Sequence, residues 1–101
     1  MTLGRIKEAV SWFKRAAQSD PFSDNVLNDL GLALSRLSRS REAEAAYRSA
    51  LRVNPEFLPA RFNLALLFYR GGRMDQAREE LRRVRNADPT FPGLESVKFQ
   101  F

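Results

Sequence analysis

Residues 20–55 read DPFSDNVLNDLGLALSRLSRSREAEAAYRSALRVNP, and this stretch decides the fold. It runs from an Asp-Pro pair to an Asn-Pro pair. The prolines of these pairs, Pro21 and Pro55, lie 34 residues apart, and Pro89 follows after another 34. Self-similarity at a fixed period of about 20–50 residues is typical of a protein built from one repeated structural unit.

Further positions recur at the same period. They form four columns: Ala9, Ala43 and Ala77; Phe13, Tyr47 and Leu81; Ala16, Ala50 and Val84; and Gly4, Ser38 and Gly72, each followed by Arg. Within one copy, the residues of the first three columns, such as Ala9, Phe13 and Ala16, are spaced i, i+4 and i+7. The three residues therefore lie on one face of a helix. A large residue between small ones lets that helix approach a neighbour closely. The Asp/Asn-Pro pair ends the helix, and the Gly or Ser column begins it after a tight turn.

A second helix precedes this one in each complete unit. Its apolar positions are Leu27, Leu30, Gly31 and Leu34 in one copy and Leu64, Ala65 and Phe68 in the next. Gly31 and Ala65 are small where the paired helix passes close. The pattern predicts helices near residues 3–18, 24–37, 40–53, 58–71 and 74–87, with a short one near 92–99.

This arrangement resembles the tetratricopeptide repeat (TPR) family, whose period is about 34 residues. The resemblance rests on Leu27, Leu30, Gly31, Ala43, Tyr47, Ala50 and Pro55 in residues 24–57, and on Leu64, Ala65, Phe68, Ala77, Val84 and Pro89 in residues 58–91. Arg61 departs from the pattern in place of a large apolar residue, and Leu81 in place of an aromatic. The resemblance implies an all-α, antiparallel helix-pair solenoid. Residues 1–101 would form one domain with a half repeat (1–23), two repeats (24–57 and 58–91) and a capping tail (92–101).

For function, the resemblance implies a protein–protein interaction scaffold with a concave groove lined by the first helix of each repeat. The matching positions are Asn25, Asn28, Asp29, Leu32, Arg36, Phe62, Asn63, Leu66, Tyr69 and Arg70. Asparagine amides can bond a peptide backbone, and arginines can pair with carboxylates, so an acidic protein or peptide is a candidate partner. The alternative is that these residues only solvate a surface or touch a neighbouring helix. The family's carboxylate-clamp subtype is matched only at Asn63.

The two ends of the stack differ in the sequence. The first helix keeps Ile6, Val10, Trp12 and Phe13, and we expect Val10 and Trp12 to be exposed because their counterparts in later copies include charged residues. Three explanations stay open: a preceding helix of a longer array covers this surface, two chains cover each other in a homodimer, or the exposure is harmless.

At the other end, Leu51 and Val53 are expected to pack on the next repeat, whereas Arg85 and Ala87 replace them in the last copy. The array is therefore expected to end there. The tail PGLESVKFQF would cap it with Leu94, Val97 and Phe101 inward, or would occupy a groove of another copy.

Charge raises a further possibility. The net charge is +5, and 14 of the 17 basic residues are arginines, so RNA or anionic-surface binding is an alternative function. Glutamates alternate with the arginines, and Glu44–Arg48 and Glu79–Arg83 have the i, i+4 spacing of helical ion pairs. This favours a salt-bridged, solvated face and disfavours nucleic acid as a partner.

Composition also limits catalysis and targeting. The chain has no histidine and no cysteine, which removes the commonest general base and the usual nitrogen and sulfur metal ligands. No Gly-rich phosphate loop is present. We therefore expect no enzyme activity, metal or cofactor. The absence of cysteine, of a signal peptide and of a long apolar run favours a cytoplasmic location without a transmembrane segment.

Overall fold

A computed structural model of the chain describes residues 2–97. Within them the elements are α1 (Leu3–Ser19), α2 (Asp24–Arg36), α3 (Ser40–Val53), α4 (Leu58–Arg70), α5 (Met74–Ala87) and a short 3-10 helix (Leu94–Ser96). The bounds of all five α-helices agree with the predicted helices to within one residue. The part described contains no strand, and the all-α helix-pair solenoid is confirmed. Of the predicted helix near 92–99, the described part up to residue 97 contains a single 3-10 turn, Leu94–Ser96.

The Asp/Asn-Pro column ends helices by a mechanism that is repeated three times. The first residue of each pair is Asp20, Asn54 or Asp88, and each lies directly after a helix. Its side-chain oxygen accepts the backbone N–H of the second residue after it, at 3.1 Å in all three copies. This local turn competes with a further turn of helix, so the sequence column fixes where α1, α3 and α5 stop.

The turns inside the helix pairs use the left-handed backbone conformation. Ser38 has φ 60° and Gly72 has φ 77°, and the next residue in each turn donates its N–H to a carbonyl of the preceding helix at 2.9 Å. Gly4, the third member of this column, does not form such a turn. It lies inside α1, which begins with the Thr2 hydroxyl accepting the N–H of Arg5. The expectation of a turn at Gly4 is therefore wrong, because no described helix precedes α1 for a turn to join.

Each helix pair is held by one large residue against one small residue. Tyr47 on α3 is 1% exposed, and a Cβ atom added to Gly31 on α2 would lie 2.5 Å from its ring. In the next pair, Ala65 on α4 and Leu81 on α5 share one buried cluster. Leu81 is smaller than Tyr47, and Ala65 is larger than Gly31, so the two changes compensate in volume. This accounts for a leucine at a position where the family has an aromatic residue.

The pairs stack in chain order. Contacts join α1 to α2, α3 to α4 and, less extensively, α2 to α4. Arg61, the other departure from the repeat pattern, lies 2.6 Å from Glu80, and both side chains are 15% exposed. Arg61 also donates to the carbonyl of Pro55. It therefore links α4 to α5 by charge at a position where the previous copy uses Leu27.

The C-terminal end of the stack is covered by the chain itself. Leu94 is buried with Ala65, Leu81 and Val84, and Val97 packs against this cluster, so the inward orientation of these two tail residues is confirmed. Phe101 lies outside the described residues. Leu51 is half-buried as expected, but Val53 is 36% exposed. Val53 is the last residue of α3 and stands among the exposed large apolar residues, so the expected packing is not seen.

We predict opposite effects for two Gly→Ala substitutions in helices. Gly31→Ala adds a methyl group against the buried Tyr47 ring, so the cost of overpacking, about 1–3 kcal/mol, outweighs a gain in helix propensity of about 1 kcal/mol. The free energy of unfolding should fall. Gly4→Ala, whose Cβ has no neighbour within 4 Å, should raise it by up to about 1 kcal/mol. Urea denaturation of both variants measures this, and a stabilised Gly31→Ala protein would contradict the packing argument.

Candidate functional site

The outward sides of α2 and α4 form one surface, which we call the α2/α4 face. Two side-chain hydrogen bonds join the helices there: Asn63 Nδ2 donates to Asn28 Oδ1 at 3.0 Å, and Arg70 Nη1 donates to Ser35 Oγ at 3.5 Å. The two donors are seven residues apart on α4, and so are the two acceptors on α2. Equal spacing in the same direction means that α2 and α4 lie side by side and parallel.

The structure distributes the ten predicted groove residues among several environments. Asn28 is 7% exposed and bonded to Asn63, so the expectation that it is free to meet a ligand is wrong. Its amide joins two helices instead. Phe62 is half-buried, its ring centroid lies 5.2 Å from that of Phe91, and Gly93 of the tail approaches the same ring. The tail therefore covers Phe62.

The remaining predicted residues are accessible. Asp29, Leu32 and Arg36 line a hollow of about 190 Å³ between α1 and α2. Asn25, Tyr69 and Arg70 are exposed, and Asn63 and Leu66 are half-buried. Asn63, Leu66, Tyr69 and Arg70 are all on α4, so the accessible part of the α2/α4 face has amide, apolar, aromatic and cationic groups.

The sequence prediction did not include the hydroxyl of Tyr47, a residue that the structure buries. Burial raises the pKa of Tyr47 to about 12, and the charges of Arg70 and Arg36 act in the opposite direction. Both guanidinium groups are thus within electrostatic reach of one hydroxyl, although they stand 34 residues apart in sequence. Ser35 was overlooked as well. Its alignment with Tyr69 in the 34-residue register could have placed it on this face.

The predicted self-association residues of α1 also differ in burial. Ile6 and Val10 are buried in the main core cluster, whereas Trp12 is 69% exposed and Phe13 is half-buried. The expected exposure of Val10 is wrong, because the start of α1 packs beside the α2–α3 turn, where Leu37 joins the same cluster. Ile6 and Val10 cannot therefore form a contact surface in this conformation. Self-association through Trp12 and Phe13 stays a prediction.

Several arginines of α3 and α5 pair with glutamates of their own helices. Arg48 reaches Glu44 at 2.9 Å and Arg83 reaches Glu79 at 3.3 Å, which confirms both predicted i, i+4 pairs. Arg73 also reaches Glu44, at 2.7 Å. Burial acts to raise the pKa of Glu44, but hydrogen bonds from Arg73 and Arg48 outweigh it and the pKa is lowered. Ion pairs therefore compensate part of the positive charge of this surface, which makes it less favourable for a polyanion.

Metal ligation and membrane insertion are two further properties that residues 2–97 bear on. No group of three or more acidic, histidine or cysteine residues there is arranged to hold a metal ion. None of the helices in this part of the chain has the length and apolar character required to cross a bilayer.

Comparisons with known proteins agree with this architecture. A family model described as tetratricopeptide repeat matches residues 28–91. The peroxisomal targeting signal receptor of Kluyveromyces lactis is 35% identical over 74 residues, which cover 73% of this chain and 13% of the receptor. Protein POLLENLESS 3-LIKE 2 of Arabidopsis thaliana is 42% identical over 84 residues, covering 82% of this chain and 19% of that protein. The chain thus spans less than a fifth of these curated relatives.

A solved structure shares the fold. It is described as the first TPR of Spaghetti (RPAP3) bound to the HSP90 peptide SRMEEVD. It superposes with a TM-score of 0.86 at 18% sequence identity, and the match covers 92% of this chain and 74% of that one.

The Tyr47 hydroxyl predicts a loss of stability at high pH. Its pKa is 10.0 in an unfolded chain and about 12 in the folded protein, so the unfolded state releases this proton first. The stability contributed by the protonated hydroxyl is complete below pH 10 and is lost as the pH rises from 10 to 12, by about 2–3 kcal/mol in total. Urea denaturation across this range measures the loss. Tyr47→Phe should remove this component, and an unchanged pH profile in that variant would contradict the assignment.

Proposed function

The chain belongs to the tetratricopeptide repeat family, and from that premise we propose that it is a non-catalytic protein-interaction scaffold that binds an extended acidic peptide on its α2/α4 face. In this proposal Arg36 and Arg70 hold a carboxylate of the peptide. Asn63 bonds its backbone, and Leu66 and Tyr69 contact an apolar side chain.

The proposal is carried by two exposed guanidinium groups, Arg36 on α2 and Arg70 on α4. Arg70 reaches across to Ser35, the residue next to Arg36, at 3.5 Å. Two guanidinium groups on one side of a parallel helix pair offer a carboxylate several donors at once. By contrast, Arg48 and Arg83 are already engaged by glutamates of their own helices. An incoming anionic side chain therefore gains more from the α2/α4 face than from α3 and α5.

The comparisons add support of a general kind. The RPAP3 structure is described with a bound peptide, SRMEEVD, that is rich in carboxylates, and the Kluyveromyces lactis relative is named as a receptor. Both names describe partners or roles of those proteins. For this chain they favour peptide binding over catalysis as the function of the fold.

The proposal is tested with the peptide SRMEEVD as a fluorescent probe, titrated with the 101-residue chain. We expect binding that weakens about tenfold or more in the Arg36→Ala/Arg70→Ala variant, since each charge-assisted hydrogen bond contributes about 1.5–3 kcal/mol. Arg41→Ala/Arg52→Ala is the matched control, because it removes the same charge from exposed positions of α3. It should leave the affinity within about twofold, because exposed charges are screened by salt.

Equal weakening by both double variants would mean general attraction to a cationic protein, and the α2/α4 face would be excluded as the site. A single-stranded RNA of the same length serves as the second probe. If it bound more tightly than the peptide and the control variant abolished that binding, the arginine-mediated alternative would replace the proposal.

A further inference from the structure

The small-large-small face of α1, formed by Ala9, Phe13 and Ala16, is more exposed than the equivalent faces of α3 and α5. On α3 the residues of this face, Ala43, Tyr47 and Ala50, are 0–1% exposed, and the corresponding residues of α5 are 0% exposed. On α1 the same three positions, Ala9, Phe13 and Ala16, are all half-buried. The cover on α3 is α2 and the cover on α5 is α4, but no helix among residues 2–97 takes this place on α1.

The adjacent side of α2 is equally unpartnered. In the 34-residue register, Asp29 and Arg36 of α2 correspond to Asn63 and Arg70 of α4. These two α4 residues make the hydrogen bonds to α2. Asp29 and Arg36 line the α1–α2 hollow together with Phe13, and no described helix lies on that side to receive them. The hollow therefore presents the residues for both contacts that a repeat makes with a preceding helix. These contacts are the packing against Phe13 and the side-chain hydrogen bonds of Asp29 and Arg36.

We propose that the α1–α2 hollow binds an amphipathic helix of a partner protein, antiparallel to α1 and parallel to α2. The chain's own geometry specifies this helix. It carries a small residue against Phe13, as Gly31 lies against Tyr47. Three residues before the small residue it has a hydrogen-bond donor facing Asp29, and four residues after it an acceptor facing Arg36. The template is α2 itself, with Asn28, Gly31 and Ser35.

The occupant is a partner helix and not a second copy of the chain for two reasons. The exposed surface of α1 has four basic residues and one acidic residue, Glu8, so two α1 helices packed together would place like charges close to each other. The small-residue faces of α2 and α4 in another copy are already occupied, by Tyr47 and Leu81 respectively. A helix with the α2 pattern and no such engagement fits the hollow best.

The inference is tested with a labelled synthetic peptide of residues 23–37, which has the sequence of α2 with its cap, added to the intact chain. We expect one peptide to bind per chain, with a gain of helix signal in circular dichroism, because a peptide of this length is barely helical alone. In the chain, Ala9→Glu places a charge in the hollow and should weaken binding by about tenfold or more. Ser11→Glu adds the same charge to the outer surface of α1 and should change the affinity by less than about twofold.

Two further variants separate the hollow from other sites. A peptide with Gly31→Phe should bind at least about tenfold more weakly, because Phe13 leaves no room for a second large side chain. Arg41→Ala in the chain should leave peptide binding unchanged, since Arg41 is exposed on α3 and does not line the hollow. Equal binding by the parent and Gly31→Phe peptides, or no binding at all, would overturn the inference. So would a dimer of the chain alone that Ala9→Glu dissociates in sedimentation, because a second copy would then be the occupant.

Discussion

The close fit of Tyr47 against Gly31 sets the distance between α2 and α3, and the remaining contacts depend on that distance. With no Cβ on Gly31, the ring lies almost on the backbone of α2 and becomes fully buried. The same fit, with Leu81 and Ala65, holds α4 to α5. Once each pair is rigid, the outward side of its first helix has a defined orientation, and α2 and α4 meet in parallel through Asn28, Asn63, Ser35 and Arg70.

The two ends of the stack differ in how their apolar faces are covered. A repeat unit cannot bury its apolar face alone, so each end of an array needs a cover. At the C-terminal end, Phe91, Leu94 and Val97 fold back over α4 and α5. At the other end, α1 buries Ile6 and Val10 against the rest of the chain but leaves Phe13 half-buried. Within residues 2–97, the C-terminal end of the stack is thus covered, whereas the α1 end is covered only in part.

Charge is organised along the same lines. The glutamates of α3 and α5 neutralise the arginines beside them, and Glu44 joins two consecutive pairs through Arg48 and Arg73. Arg61 and Glu80 extend this arrangement into a half-buried position. Arg36 and Arg70 lie outside these ion pairs, exposed on the α2/α4 face. Arginine thus contributes to cohesion within α3 and between consecutive helix pairs.

The sequence by itself determined the helices and their pairing. Period, small-large-small spacing and the Asp/Asn-Pro stops are local signals repeated in each copy, so α1 to α5 follow from them to within one residue. Contacts between repeats were decided only by the tertiary structure. They depend on which side chains meet across helices that are distant in the chain. This is why Asn28 is a buried link and Phe62 lies under the tail. It is also why Val10 is buried beside the α2–α3 turn, and why Arg70 bonds Ser35.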